Sequence, residues 1–178
     1  MTRRAGSTEQ RKDLELPATG ARTGAPYATE LETERRGWYE VTDLIRRLTP
    51  DECLEPGYYC DPDWTVRDVV AHVGTWLAEA EVQLERIGVG TYEGHEIDID
   101  GLNETFLGAM RDQSWDVAWV QANAGRTRML QAWLEIDEPD GEAVWWIRKS
   151  GGEHYAEHID RLREWVDELV GRRESPSR

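Results

Sequence analysis

Gly152-Glu153-His154-Tyr155-Ala156-Glu157-His158-Ile159 is the stretch whose reading decides the fold. Two histidines stand four positions apart, and the apolar residues that follow, Ile159, Leu162, Trp165, Val166 and Leu169, recur at helical spacing down to Val170. On a helix, positions i and i+4 share a face, with Cβ atoms about 5–6 Å apart. Two imidazoles so placed reach one metal ion, at about 2.0–2.1 Å per nitrogen for zinc. Four histidines scattered over 178 residues give such a pair only about 0.1 times by chance. A pair alone still needs a third ligand, and His72 is the candidate.

Working outward, Ser150 and Glu153 read as a capping box that starts this last helix. The helix over 29–48 carries Leu31, Trp38, Val41, Leu44, Ile45 and Leu48 on one face, and Thr49-Pro50-Asp51 stops it. A long crossover loop through Pro56, Gly57, Tyr58, Tyr59 and Pro62 leads to a second helix, with Thr65 and Asp68 as a capping box. Val69, His72, Trp76, Leu77, Ala80, Leu84 and Ile87 follow on its apolar stripe, and Gly88 and Gly90 end it. His95 sits in a polar, exposed loop. Asp100 reads as the cap of a short helix with Leu102, Phe106, Leu107 and Met110. Asp98-Ile99-Asp100-Gly101 begins like a calcium loop and lacks the rest of that pattern. Ser114 caps a third long helix, with Trp115, Trp119, Met129, Leu130 and Trp133 facing inward and Gly125 a weak point in its middle. Val144-Trp145-Trp146-Ile147 is too short a run to classify by period. The fold class is all-α: a four-helix bundle over 29–170, preceded by a disordered or strap-like tail over 1–28 and followed by a frayed tail over 171–178.

Composition narrows the function. With 21 basic against 36 acidic residues the net charge is −15, which repels a phosphate backbone or an anionic membrane. No segment approaches the roughly 18 apolar residues of a membrane span, and the basic N-terminus lacks the apolar core of a secretory signal. Cys53 and Cys60 do not form a metal or redox motif, so the expected compartment is the cytoplasm. Nine tryptophans stand beside one phenylalanine, enough bulky donors for several to line a cavity.

Each histidine has a plain reading. His72 alone is a buried, hydrogen-bonded core residue; His154 and His158 alone are a polar patch at a helix start. If the second and last helices are neighbours that run antiparallel or cross steeply, all three rings converge at one end of the bundle. Three neutral imidazoles leave coordination positions open, as in reactive rather than structural metal sites. Asp68, one turn before His72, is a second candidate to orient that ring, although capping already explains it. Glu157 is read as a surface residue on a different helix face from the pair.

Trp64-Thr65-Val66-Arg67-Asp68-Val69-Val70-Ala71-His72-Val73 resembles the start of the second helix in the DinB-like superfamily, and His154-Tyr155-Ala156-Glu157-His158 resembles its second motif, in the same order and at the right separation. Asp98–Asn103 is similar, less specifically, to a segment of the colibactin self-resistance (ClbS/DfsB-like) branch. The resemblance spans about residues 30–170. It implies a YfiT-like bundle, commonly a homodimer, holding a divalent metal (zinc, nickel or iron) on His72, His154 and His158. The superfamily includes bacillithiol- and mycothiol-dependent transferases, the mycothiol-dependent maleylpyruvate isomerase, and proteins that hydrolyse or sequester reactive natural products. Residues 1–178 hold no counterpart of the C-terminal domain of those isomerases, which directs the expectation elsewhere. That expectation is a metal-dependent transferase or hydrolase: transfer of a low-molecular-weight thiol such as mycothiol to a small electrophile, or hydrolysis of the electrophile. Tyr59, Trp64, Trp76 and Tyr155 are expected as pocket walls. The alternative is a protein that binds and sequesters a reactive or hydrophobic small molecule. No catalytic acid, base or nucleophile stands out.

Overall fold

The computed structural model describes residues 27–60, 63–94 and 97–175. Most of the 1–28 tail and His95 lie outside the described residues; Tyr27 and Ala28 already open the first helix. Six α-helices follow in order: α1 (Tyr27–Ile45), α2 (Val66–Gly88), α3 (Ile99–Met110), α4 (Trp115–Glu135), α5 (Gly141–Ile147) and α6 (Glu153–Glu174). The four long ones, α1, α2, α4 and α6, form a bundle around one core.

Their directions follow from who meets whom. Gly74 and Gly88 of α2 lie against Ala122 and Ile136, and Glu81 pairs with Arg128, so α2 and α4 run parallel. Gly37 and Glu40 of α1 meet Tyr155 and Arg163, and Arg47 pairs with Asp167, so α1 and α6 also run parallel. Glu34 meets Arg126 while Trp38 stacks on Trp119, which turns the first pair antiparallel to the second. The long loop between α1 and α2 is present, and it holds a short hairpin, β1 (Tyr59–Cys60) paired with β2 (Asp63–Trp64). The parallel connection from α2 to α4 must return along the bundle, and α3 makes that return beside α2, from Asn103 at Trp76 to Arg111 at Arg67, with Leu102, Phe106 and Met110 half-buried against the core.

The caps agree with the sequence in part. Thr65 and Asp68 form the capping box of α2: Asp68 N–H donates to Thr65 Oγ1 at 3.2 Å and Thr65 N–H to Asp68 Oδ2 at 2.8 Å. Ser114 accepts from Val117 N–H. The short helix is capped by Asp98 instead of Asp100; the Asp98 side chain accepts from Gly101 N–H. Gly125, expected as a weak point, is a packing device. It lies against the backbone of α2, where an added Cβ would stand 3.1 Å from Gly74 O, and an added Cβ on Gly74 would stand 2.8 Å from Ala122 Cα. The face of α4 that meets α2 is accordingly small at Ala118, Ala122 and Gly125; Met129 and Trp133 are buried as expected, while Trp115, Trp119 and Leu130 are half-buried.

Val144–Ile147 proves to be helical, as the end of α5, with Trp146 and Ile147 buried. The chain then passes through one π-turn, Arg148–Gly152, directly into α6. Ser150 therefore caps nothing: the chain kinks at the non-helical Gly151, the N-cap position of α6 falls at Gly152, and Ser150 Oγ is buried without a hydrogen-bond partner. Glu153 pairs instead with Lys149 at 2.7 Å and with Arg148. At its other end α6 continues past residue 170 to Glu174, where Arg172 pairs with Glu168 and Arg173 with Glu52.

One buried charge ties three helices together. Glu34 is 1% exposed and accepts from Arg126 Nε at 2.6 Å, from Arg126 Nη2 at 2.7 Å and from the Tyr155 hydroxyl at 3.0 Å. The Arg126 guanidinium also lies over the Trp38 ring, 5.4 Å from its centroid.

Gly74→Ala should destabilise the protein by about 1–3 kcal/mol in denaturant unfolding, because the methyl meets α4 backbone. Arg126→Ala should cost about 3 kcal/mol, at the low end for breaking a buried pair because the Arg126 side chain keeps 21% exposure. Arg47→Ala, which breaks an exposed pair, should cost less than about 1 kcal/mol in the same assay.

Candidate metal centre

α2 supplies His72 and the first two turns of α6 supply His154 and His158, and the antiparallel packing of these helices brings the three rings together. His72 Nε2 lies 2.9 Å from His154 Nε2, and His158 Nε2 lies 3.3 Å from the same atom. One nitrogen from each ring falls within 4.8 Å of the others, a set with the geometry to hold a metal ion. Two zinc–nitrogen bonds of about 2.05 Å at a tetrahedral angle span about 3.3 Å, close to these separations. Proton chemistry alone serves the cluster poorly. Nε2 of a neutral imidazole either donates one hydrogen or offers one lone pair, so His154 Nε2 can satisfy only one of its two neighbours. A cation shared by three lone pairs removes that conflict, so the donor set fits a metal.

Burial keeps the rings neutral. It pushes the pKa of His72 down to about 4, with the nearby His158 adding to the effect. Burial alone takes His158 to about 4. His154, 6% exposed, is pushed well below the usual histidine range by burial and then by its two neighbours, against a smaller opposing effect of the Ser150 backbone. Each ring therefore has a lone pair to offer at neutral pH.

A cleft of about 250 Å³ opens onto the three rings, lined by Trp76, Ile99, Asn103, Trp145, Lys149 and Glu157. Trp76 Nε1 donates to Asn103 Oδ1 at 2.8 Å, and its indole meets Phe106 edge-on. Lys149 is committed to Glu153, so it is not a free cation in the cleft. A groove of about 560 Å³ lies farther along α2, beside Val82 and Val89, with none of the three histidines in its wall.

Of the expected pocket walls, Trp76 lines the cleft. Trp64 meets the ring of His72 edge-on, 5.4 Å between centroids, and Tyr59 Oη lies 3.4 Å from His158 Nδ1; both back the histidines instead of walling the cleft. Tyr155 is fully buried, packed on Trp38 and bonded to Glu34, and takes no part in the cleft. Burial and then the Glu34 carboxylate drive its hydroxyl pKa well above the ordinary tyrosine value. Glu157, read from sequence as surface on another face, is exposed and does line the cleft. At 100° per residue, Tyr155 and Glu157 lie about 80° to either side of the mean direction of the two histidines. Helical angle alone cannot separate them; α1 takes the tyrosine side and leaves the glutamate side open. Asp68 does not orient His72, because its carboxylate is used by Thr65 and by Arg67. Asn103, Trp145 and Lys149 were not singled out as site residues; the signals for them were the Asp98–Asn103 resemblance and the paired tryptophans just ahead of the histidine motif.

The fold has a counterpart in the crystal structure of an uncharacterised protein from Escherichia coli UTI89, 16% identical, with a TM-score of 0.65 over 80% of this chain and 94% of that one. No curated protein matches the sequence. Residues 35–172 match the mycothiol maleylpyruvate isomerase N-terminal domain, and the chain belongs to that family, within the DinB/YfiT-like superfamily.

Proposed function

We propose that this protein is a metal-dependent enzyme that transfers a low-molecular-weight thiol such as mycothiol to a small electrophile, or hydrolyses the electrophile, at the three-histidine site. The observation that carries the reading is the convergence of His72, His154 and His158 Nε2 at the floor of an open cleft. Family membership supports it. A bound divalent cation supplies Lewis acidity and lowers the pKa of a thiol or water beside it. The chain does the rest. The three rings present lone pairs without first losing protons. Trp76 and Trp145 provide apolar walls that hold a small organic substrate and exclude water from one side. Glu157, on the cleft wall one residue before His158, takes up the proton that the attacking thiol or water gives away. The working protein is proposed to be a cytoplasmic homodimer; none of the described helices is long and apolar enough to cross a membrane. The aromatic walls also suit a second reading, a binding protein that sequesters a reactive or hydrophobic compound.

Protein purified without a histidine tag should carry about one zinc, nickel or iron ion per chain by elemental analysis, and His158→Ala should lose it. Absence of metal from both would overturn the enzyme reading. Glu157→Gln should keep the metal and lower the rate of thiol transfer or hydrolysis by about 100-fold. Ligand-dependent quenching of tryptophan fluorescence with no product formed by the unaltered protein would favour the binding reading instead.

A further inference from the structure

The hairpin in the α1–α2 loop reaches the histidine cluster through Tyr59 and Trp64, which are not part of the cleft wall. It is anchored on α6 at one place. The Tyr58 hydroxyl donates to the backbone carbonyl of His158 at 3.1 Å, Arg161 Nε donates to Tyr58 O at 2.6 Å, and Arg161 Nη2 donates to Gly57 O at 2.9 Å. Gly57 itself has φ +116, a conformation other residues rarely adopt, with the Trp165 ring where a side chain would go. Gly57 and Tyr58 N–H both donate to Trp64 O, closing the hairpin. So fixed, its next residue puts Tyr59 Oη 3.4 Å from His158 Nδ1, and its last residue sets Trp64 against His72. Tyr59 is held in turn by edge contacts with Tyr58 and Trp64, centroids 4.7 and 5.6 Å away.

We infer that Tyr59 is a positioning residue for the metal centre, accepting the Nδ1–H of His158 so that the Nε2 lone pair of that ring is aimed at the shared point. The inference rests on the metal reading given above. His158 has two ring nitrogens, and a neutral ring carries its proton on one of them. With the proton on Nε2, the ring has no lone pair for the cluster and Tyr59 must donate to Nδ1. With the proton on Nδ1, Tyr59 accepts it and Nε2 is free. The hydroxyl serves either arrangement, so a cation at the three Nε2 atoms selects the second. Partners of this kind on the far nitrogen typically contribute 10- to 100-fold in metal affinity. Tyr39 of α1, 66% exposed, serves as the control, because Tyr58 both anchors the hairpin and packs on Tyr59.

Competition of purified protein with a chelator gives the affinity for zinc. Tyr59→Phe should bind zinc about 10- to 100-fold more weakly than the unaltered chain, whereas Tyr39→Phe should bind it as the unaltered chain does. Equal zinc affinity in Tyr59→Phe and the unaltered chain would overturn the inference and leave the metal reading standing; no zinc binding by the unaltered chain would overturn the metal reading itself. A second measurement needs no variant. In the zinc-loaded protein, the ¹⁵N spectrum should show the His158 proton on Nδ1, slow to exchange with solvent. A proton on Nε2, or a fast-exchanging Nδ1 proton, would overturn the inference even if Tyr59→Phe fails to fold.

Discussion

The Glu34 carboxylate is the point at which three of the four long helices are registered. A charge buried to that extent cannot be left unpaired without a large penalty, so its partners are fixed as firmly as any core contact. Arg126 holds it in a two-pronged grip from α4, and Tyr155 donates to it from α6. The consequence for the site is geometric. Tyr155 lies between the two α6 histidines in sequence, and with its ring drawn to α1 the histidine face is turned away from α1 and toward α2. The tyrosine that looked like part of a pocket thus sets the rotation of the helix that presents the ligands.

Backbone proximity does the complementary job on the other side. Gly74 faces Ala122, and Gly125 faces Gly74 O, so α2 and α4 approach without side chains between them. Two residues upstream of Gly74 on α2 is His72, whose depth in the bundle is therefore set by that close approach. Where α6 begins, Gly152 sits against Thr33 of α1 so tightly that an added Cβ would stand 2.7 Å from Thr33 Cγ2. Small residues thus fix both helices that carry the ligands, and the three rings meet because the backbones around them have little room to move.

Much of this was legible in the sequence, and the limits are physical. Helical spacing located the four long helices, and the Thr65–Asp68 box marked the start of α2 because local capping chemistry needs only local sequence. The convergence of His72 with His154 and His158 was conditional on their two helices being neighbours, and the resemblance to the DinB-like motifs is what singled out the three together. What failed was wherever two local solutions compete. Ser150 and Glu153 spell a capping box, yet the chain kinks at Gly151 and α6 starts from Gly152, so Ser150 does not stand at its N-cap. Gly125 is poor for an isolated helix and good for one packed against another backbone, a distinction that needs the partner. Tyr155 and Glu157 are equivalent by helical angle, and only the position of α1 tells them apart.

The three rings are not supported alike, and the asymmetry says how the cluster is built. His158 has a hydroxyl at its far nitrogen, His72 has the edge of Trp64, and His154 has the Ser150 backbone one turn earlier, where Ser150 Oγ is buried with no hydrogen-bond partner. Unpaired buried polar atoms cost stability, and they persist where surrounding structure leaves them no alternative. Here that structure is the π-turn. Gly151, at φ −107 and ψ −112, lies against Glu34, and Gly152 lies against Thr33, so the start of α6 has little room to rotate. The ring's direction is dictated by its backbone, whereas those of the outer two are also dictated by the hairpin. Nε2 of His154 is also the atom both other rings approach. The least adjustable imidazole therefore stands at the centre of the set, and the two that contact the loop stand at its flanks, so motion of the α1–α2 loop bears first on His158 and His72.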